Sequence, residues 1–500
     1  MRHRLAAMLF TSAEFILVFL PLVLSVFFLL GQRSHPLAAS WLFIASVGFY
    51  AWWMPQFSIL LLLSIAWNYF VGQRIIGGAS KEPGARGWLV LGITVNLAVL
   101  AWFKYANFFV DNLNLAFGTH WALGAITLPI GISFFTFTQI AFLADAYQKG
   151  VSEPRVAHYG LFVTYFPHLI AGPVLHHAQM MPQFGDASTY RFNAGNFAAG
   201  SAIFMLGLIK KVVVADGISP IADAVFHGCS EGLTPDLLEA WLGVLAYTLQ
   251  LYFDFSGYSD MAIGLSRMLN ISLPYNFDSP YKALSIIDFW RRWHMTLSAF
   301  LRDYLYIPLG GSRHGAFRRY ANLFTTMLLG GLWHGASWNF VIWGALHGGY
   351  LMINHAWRAG TAAVLPAAIQ QGRVYQVLAW GVTLLAVMVG WVFFRATDLH
   401  NANAMLIAML SQPVAFDAPH TLLWNAGIHT GAALAYCIAG LTCCALMPNS
   451  NRIGEWFIRF CNGSTRWPAF VLGFAWAIIL CAMLINATRS AVSAFIYFNF

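Results

Sequence analysis

Residues 327–350 read MLLGGLWHGASWNFVIWGALHGGY, and they follow a stretch that is rich in charge. That stretch, 278–320, holds ten charged residues, whereas the whole chain of 500 residues has 27 Lys and Arg and 19 Asp and Glu. The run after it has no charged residue, but it carries His334 and His347. Ionisable residues within apolar, membrane-type sequence usually mark functional positions. We therefore expect the functional site to lie within residues 278–350.

The composition of the chain is that of a membrane protein. Hydrophobic residues make up 59% of it and charged residues 9%, whereas soluble proteins carry about 25% charged residues. Several apolar runs approach or reach the roughly 20 residues that cross a bilayer as a helix. The sequence therefore predicts an all-α, polytopic membrane protein with roughly 11–13 membrane segments, organised as one integral membrane domain over residues 1–500.

The predicted spans alternate with loop-forming sequence such as GGASKEPGARG at 77–87. A further apolar stretch, Tyr159–Val174, is interrupted by Pro and Gly, and such a break is tolerated at membrane depth only against protein or a water-filled cavity. We expect that stretch to be re-entrant or interfacial. The predicted spans are Phe15–Leu30, Leu37–Trp53, Phe57–Ile76, Trp88–Phe103, Leu123–Ala144, Asn196–Val214, Leu238–Leu269, Gln376–Phe394, Ile428–Met447 and Phe470–Leu484.

The net charge of +8 has an ordinary explanation, because cytoplasmic loops of membrane proteins are rich in Lys and Arg. Nucleic-acid binding would require a basic patch on a soluble module, and we expect no nucleic-acid partner. Arg33 and Arg74, near the ends of the first and third spans, favour an external N-terminus, whereas basic residues at the N-terminus itself favour the opposite orientation. Met8 is a second plausible start, which would make residues 1–7 an N-terminal extension.

No metal site is predicted. The six cysteines show no CxxC or Cys/His metal-ligand spacing. His168, His176 and His177 lie close together in sequence, but no carboxylate or cysteine beside them completes a ligand set. We expect these three histidines to be interfacial.

An otherwise apolar predicted span carries two acidic residues, Asp254 and Asp260, next to Tyr252 and Ser256. A charged Asp at the centre of a bilayer costs about 2.5–3.5 kcal/mol on insertion scales, so we expect both to have a role. Two interpretations stay open. The aspartates form salt bridges with an arginine of the segment 291–319, or they line a substrate or proton pathway.

The charged stretch predicts one amphipathic helix over Ile286–Tyr306. At 100° per residue its apolar and polar residues separate onto two faces, and Asp288 and Arg292 form an i,i+4 pair on the polar face. A helix of this kind lies in the interface or packs against the bundle rather than spanning it. His294 projects from the edge of the apolar face near Trp290, either as a core histidine that is hydrogen-bonded to a carbonyl or as part of a site.

His334 lies in the sequence GGLWHGASW, whose Gly and Ser residues lower helix propensity. We expect the helix to break there and to expose backbone. In a straight helix His334 and His347 would be about 20 Å apart at 1.5 Å per residue, and they would not share a substrate atom unless the helix breaks. His334 is the better catalytic candidate because its flanking residues suit a cavity; the alternative is a buried histidine with satisfied hydrogen bonds.

The sequence contains no nucleophile elbow and no Walker loop. A histidine can take a proton from a hydroxyl near neutral pH, so the remaining chemistry is a histidine-assisted transfer within the membrane. Acyl transfer to an alcohol suits such a site, since a water-poor environment suppresses hydrolysis.

Taken together, the motifs resemble those of the membrane-bound O-acyltransferase family, in the branch that contains proteins of alginate O-acetylation and of teichoic acid D-alanylation. The resemblance implies a ring of helices around a central funnel with short re-entrant or interfacial helices, and a catalytic core at 278–350. It assigns the family's catalytic histidine, in LWHG, to His334 and its second characteristic position, in RRWH, to His294. The motifs that carry the resemblance are LPIGISFFTFTQIAFLADAY (128–147), FPHLIAGPV (166–174), FWRRWH (289–294) and GLWHGASW (331–338).

The resemblance also implies the chemistry and its setting. An acyl group, most simply acetyl, would pass from acetyl-CoA or another acyl thioester on the cytoplasmic side to a hydroxyl acceptor, for O-acetylation of an exported polysaccharide such as alginate, with no bound cofactor. The expected partners are a periplasmic O-acetyltransferase protein, the polysaccharide and membrane lipid, and the expected location is the cell inner membrane. The residues expected to bind substrate or line the tunnel are Trp290, Trp293, Trp333, Trp338, Asn339, Tyr252, Asp254, Ser256 and Asp260.

Two alternatives stay open at this stage. D-alanyl transfer to teichoic acid would use the same family chemistry, with a small carrier protein as the donor. A transporter or flippase would explain the intramembrane aspartates and a central cavity without any chemistry. Acyl transfer that depends on His334 would distinguish the enzyme from the transporter.

Overall fold

The computed structural model describes residues 8–77, 83–170, 172–364, 366–412, 417–463, 467–487 and 495–496. Over these residues the regular structure is entirely helical, without a β-strand, which confirms the prediction of an all-α protein. The proposed extension at residues 1–7 lies outside the described part of the chain.

The helices range from single turns to more than thirty residues. Three π-helical segments, Glu14–Phe19, Ile209–Ala215 and Arg302–Tyr306, adjoin α-helices. In chain order the α-helices are α1 (Leu20–Gly31), α2 (His35–Trp53), α3 (Ser58–Gly77), α4 (Pro83–Phe117), α5 (Ile132–Lys149), α6 (Val156–Thr164), α7 (His177–Met180), α8 (Ala194–Leu208), α9 (Asp216–Ser230), α10 (Leu237–Met268), α11 (Ile286–Arg292), α12 (Met295–Leu301), α13 (Gly315–His334), α14 (Trp338–Val364), α15 (Ala367–Gln370), α16 (Arg373–Arg395), α17 (Leu399–Ala408), α18 (Leu422–Asn425), α19 (Thr430–Leu446), α20 (Ser450–Asn462) and α21 (Trp467–Ala487).

Six helical segments among the described residues are long and apolar enough to cross a membrane. These segments confirm a polytopic membrane protein. The predicted total of roughly 11–13 segments also counted re-entrant and interfacial pieces, which a test of length and hydropathy leaves out. The six are Glu14–Gly31, Pro55–Gly77, Gly84–Phe117, Ala194–Ser230, Arg373–Arg395 and Trp467–Asn486.

The contacts divide the chain into two compact units. The first unit is formed from residues 8–208, 258–275 and 450–496, and the second from residues 209–257 and 276–449. Most of the predicted site residues belong to the second unit.

In the first unit the predicted span Leu123–Ala144 begins later than expected, because α5 starts at Ile132. Pro129 precedes this start, and Gly131 adopts a left-handed φ of 72°, which Gly takes without steric penalty. The stretch Tyr159–Val174 contains only the end of α6, a helix of nine residues. Nine residues are too few to cross a bilayer, in agreement with a re-entrant or interfacial piece.

In the second unit the expected continuous helix Ile286–Tyr306 is wrong. The chain breaks after α11, where His294 takes a left-handed φ of 42°, and α12 follows. The backbone groups freed by the break bond to a distant segment: Met295 N–H donates to the Asn276 carbonyl and Asp278 N–H to the Arg292 carbonyl, both at 2.9 Å. Helical periodicity within 286–306 carries no information about these partners.

The helix break that the sequence predicted after His334 is confirmed. Helix α13 ends at His334, and α14 begins at Trp338. The two helices pack closely through glycine, since a Cβ added at Gly344 would lie 2.6 Å from the Met327 carbonyl oxygen. The segment between the predicted spans Gln376–Phe394 and Ile428–Met447 contains the ten-residue helix α17.

Candidate active site

His334 is the last residue of α13 and is enclosed by aromatic rings. Only 4% of it is exposed. Its ring centroid lies 4.9 Å from that of Trp333, 5.0 Å from Trp343 on α14 and 5.1 Å from Phe394 on α16. Such an environment keeps water away from the imidazole and has a low local dielectric.

His294 occupies the break between α11 and α12 and is fully buried. Its Nδ1 lies 3.0 Å from Oδ1 of Asn276, and its ring meets that of Phe255 edge to face at 4.8 Å. Burial lowers the pKa of His294 to about 3, because an apolar environment disfavours the charged form. The imidazole is therefore neutral.

The structure brings the two predicted histidines to the same tryptophan. The Trp333 centroid is 4.9 Å from that of His334 and 6.4 Å from that of His294. Trp333, which the sequence analysis expected to line the tunnel, is thus part of the wall around both imidazoles.

His347 is a third buried histidine in this cluster, and sequence reasoning ranked it below His334. Its Nδ1 accepts a hydrogen bond from Trp290 Nε1 at 3.3 Å. Its ring lies 4.7 Å from Trp343, the same indole that packs on His334. The break between α13 and α14 makes this shared contact possible, since a straight helix would hold the two histidines about 20 Å apart.

The other predicted tunnel tryptophans differ in their surroundings. Trp293 is buried, with its ring 5.0 Å from that of Trp391 and 6.4 Å from that of Tyr252. Trp338 is 51% exposed, so it forms less of the enclosure than its position in the motif suggests. Asn339 is buried, and its Nδ2 donates to the Ala396 carbonyl at 2.7 Å, which fixes the start of α14.

The acidic residues of α10 fall in different units. Asp254 belongs to the second unit, where Lys211 Nζ lies 2.6 Å from its Oδ1 and 2.8 Å from Oδ1 of Asp216. The expected partner, an arginine of 291–319, is therefore replaced by a lysine that the sequence analysis did not consider. Asp260 belongs to the first unit and accepts a hydrogen bond from Ser450 at 3.3 Å.

Two further candidates lie in the second unit. Tyr252 and Ser256 are both buried on α10. The Tyr252 ring lies 5.2 Å from that of Tyr281, and Lys210 Nζ lies 5.9 Å from its centroid. Tyr252 therefore belongs to the aromatic packing of this unit.

The predicted histidine cluster of the first unit contains a carboxylate that sequence proximity did not reveal. Glu153 lies 3.6 Å from His177 Nε2 and 3.9 Å from His158 Nδ1. His168 is buried, and its Nε2 lies 3.1 Å from the Phe162 carbonyl, so within the protein it is a core histidine bonded to the backbone. Over the described ranges no group of three or more His, Cys, Asp or Glu residues has the geometry to hold a metal ion.

In the second unit, a cavity of about 1160 Å³ adjoins the cluster of His294, His334 and His347 rather than enclosing it. It is lined by the start of α11, the second half of α14, α15 and α16, and Arg291 and Arg358 contribute positive charge. Tyr350 lines it, and the Tyr350 ring lies 5.7 Å from that of His347. Neither His294 nor His334 is among its lining residues.

The fold and the cluster of His294, His334 and His347 define a polytopic membrane protein that encloses three histidines in aromatic surroundings. The sequence profile of MBOAT, the membrane-bound O-acyltransferase family, matches residues 88–396. The chain belongs to this family and is an acyltransferase.

Relatives of known name support the same class. A peptidoglycan O-acetyltransferase of Helicobacter pylori is 43% identical over 436 residues, which cover 81% of this chain and 80% of the relative. A probable alginate O-acetylase of Pseudomonas aeruginosa is 46% identical over 409 residues, covering 81% and 75%. A teichoic acid D-alanyltransferase of Streptococcus thermophilus is 29% identical over 241 residues, covering 46% and 57%.

Proposed function

We propose that this acyltransferase moves an acetyl group from a cytoplasmic thioester, acetyl-CoA or another acyl thioester, to a hydroxyl acceptor for the O-acetylation of an exported polysaccharide. Alginate is the first acceptor to test. Two relatives that align with about four fifths of the chain are named as a peptidoglycan O-acetyltransferase and a probable alginate O-acetylase. The D-alanyltransferase aligns with less than half of it.

The observation that carries the proposal is the aromatic enclosure of His334, which shares the Trp333 indole with His294. In the proposed reaction His334 takes the proton of the acceptor hydroxyl, the oxygen attacks the thioester carbonyl, and the carbon–sulfur bond breaks. The proton then passes from His334 to the departing thiolate, so that an ester and a free thiol are the products. The apolar walls favour transfer over hydrolysis because they keep water from competing with the acceptor.

The location and partners are part of the proposal. A cytoplasmic donor and an exported acceptor require an enzyme in the cell inner membrane. A periplasmic O-acetyltransferase partner would carry the group onward to the polymer.

The experiment replaces His334 in a bacterium that makes alginate and lacks its own O-acetylase. We expect the wild-type chain to restore acetyl esters on the polymer, measured by NMR, and His334→Ala to restore less than about a hundredth. His355→Ala is the matched control on α14, where His355 is half-buried against Tyr320 at 6.0 Å. Equal membrane abundance of both variants, checked by immunoblot, is required, and normal acetylation with His334→Ala would refute the role.

A second acceptor is favoured by the peptidoglycan relative, which matches the chain over 436 residues. The same strains can be tested by mass spectrometry of muropeptides. If the muropeptides are acetylated and the alginate is not, then the acceptor is peptidoglycan rather than alginate. The proposed acyl-transfer chemistry would be unchanged by that result.

A further inference from the structure

Three hydrogen-bond donors surround a single side-chain oxygen, Oδ1 of the buried Asn276. His294 Nδ1 lies 3.0 Å from it, Thr296 Oγ1 2.9 Å and the Thr296 backbone N 3.4 Å. A backbone N–H can only donate, so the atom at this position is the amide oxygen rather than the amide nitrogen. The orientation of the Asn276 side chain is thus fixed by the backbone of α12.

The identity of this atom determines where the proton of His294 lies. An amide oxygen only accepts hydrogen bonds, so Nδ1 of His294 must carry a hydrogen to bond to it. In a neutral imidazole the other nitrogen, Nε2, is then the acceptor. The buried site disfavours the doubly protonated ring.

Asn276 also holds the backbone on which His294 stands. Its carbonyl accepts the Met295 N–H at 2.9 Å, immediately after the left-handed His294. One residue therefore supports both the conformation of the break and the tautomer of the imidazole within it.

His347, in the same unit, carries its hydrogen on the other ring nitrogen. Trp290 Nε1 is a donor only, so its bond to His347 Nδ1 at 3.3 Å makes that nitrogen the acceptor. His347 therefore carries its hydrogen on Nε2. The structure holds two buried histidines in opposite tautomers.

We propose that Asn276 is a positioning residue that locks His294 in the Nδ1–H tautomer, so that Nε2 accepts a hydrogen bond from the acceptor hydroxyl. The inference rests on the proposed function, in which His334 removes the proton from that hydroxyl. His294 then orients the hydroxyl, and Asn276 acts on the reaction through His294 alone.

The test reads the tautomer directly and independently of activity. The protein is labelled with 15N-histidine, placed in lipid nanodiscs and examined by NMR, and the His294 and His347 signals are assigned by their loss in His294→Gln and His347→Gln. We expect His294 to be protonated on Nδ1 and His347 on Nε2. Wild-type protein with His294 protonated on Nε2 would overturn the proposal, whether or not any variant folds.

Variants then separate the tautomer from a general structural role. Asn276→Leu keeps the approximate volume but has no acceptor, so we expect the Nδ1–H signal to decline and turnover to fall by about tenfold to a hundredfold with little change in KM. Asn276→Asp keeps an acceptor and should retain the Nδ1–H signal and more activity than Asn276→Leu. Thr296→Val, the matched control, removes a competing donor from the same oxygen and should keep the tautomer.

Two outcomes would contradict the role. If Asn276→Leu keeps the Nδ1–H signal, then another group sets the tautomer. If the signal changes while turnover stays at the wild-type value, the tautomer is not used in the reaction. Failure of the proposed function would look different, because His334→Ala would then retain activity whatever the state of His294.

Discussion

The buried charge cluster around Lys211 allows a prediction of stability from its geometry. Lys211 Nζ lies 2.6 Å from Asp254 and 2.8 Å from Asp216, and none of the three side chains is more than 6% exposed. The cluster has one positive and two negative groups, so the lysine compensates both carboxylates while each carboxylate is only one of two partners for the lysine. Removing Lys211 should therefore destabilise the fold far more than neutralising Asp254.

The expected losses of folding free energy follow from this difference between the lysine and the two carboxylates. Lys211→Met keeps the length of the side chain but removes the cation that lies within 2.8 Å of two buried carboxylates, and breaking a buried pair in this way costs about 3–5 kcal/mol. Asp254→Asn leaves a one-to-one pair between Lys211 and Asp216, and the amide can still accept a hydrogen bond, so we expect about 0–2 kcal/mol. A triple variant, Lys211→Met with Asp216→Asn and Asp254→Asn, should recover much of the loss because it removes both buried carboxylate charges together with the lysine that compensated them.

The assay is thermal unfolding of the purified variants in detergent, followed by tryptophan fluorescence. We expect the lowest unfolding temperature for Lys211→Met, with Asp254→Asn close to the wild type and the triple variant between them. Equal unfolding temperatures for Lys211→Met and Asp254→Asn would refute the argument. Acetyl transfer by a stable Asp254→Asn variant decides between the two roles that the sequence left open for this residue, since only a substrate or proton pathway requires the carboxylate itself.

Two further predictions concern the histidine surroundings. Burial raises the pKa of Glu153, but hydrogen bonds and nearby histidines hold it below its usual 4.5, and burial lowers the pKa of His158 below 6.5. In this pH range the unfolded chain therefore binds more protons than the folded protein. The unfolding temperature should fall as the pH drops below about 6.5 and again below about 4.5. An unfolding temperature that is constant between pH 7.5 and 4 would contradict this prediction. Phe394→Leu removes an aromatic ring next to His334, and that ring would stabilise the imidazolium that forms during proton transfer by about 1–2 kcal/mol. We therefore expect kcat to fall roughly 5- to 30-fold. The control is Phe226→Leu, a buried Phe elsewhere in the unit, and an equal loss of kcat in both variants would count against the argument.

Sequence reasoning succeeded where the deciding signals are local. The glycines and Ser337 of GGLWHGASW predicted a helix break within this motif, because these residue types weaken a helix by themselves, and α13 ends there at His334. The Asp288–Arg292 pair was also predicted from i,i+4 spacing, and the structure shows it at 2.9 Å. Both features depend on residues within one or two helical turns.

Sequence reasoning failed where the partner is distant in the chain. The break at His294 is stabilised by Asn276, 18 residues earlier, and Asp254 is paired with Lys211. In both cases the periodicity near the residue is helical and continuous, so nothing local marks the interaction. His347 was ranked below His334 because the residues that flank His334 suit a cavity.

The two helix breaks explain how a chain this apolar can collect polar chemistry in one unit. A break in an apolar environment is tolerated only if the freed backbone groups find partners, and each break here has them: Asn276 and Asp278 bond across the first, and Ser337 Oγ accepts the Asn339 N–H at 3.2 Å at the second. Each break also sets a histidine at a helix end, and both imidazoles then pack against Trp333. An uninterrupted helix at either place would keep its backbone satisfied without help, but it would move a histidine away from this shared indole. The irregular backbone is therefore the feature that creates the candidate site, and the residues that satisfy it are as necessary to the site as the histidines.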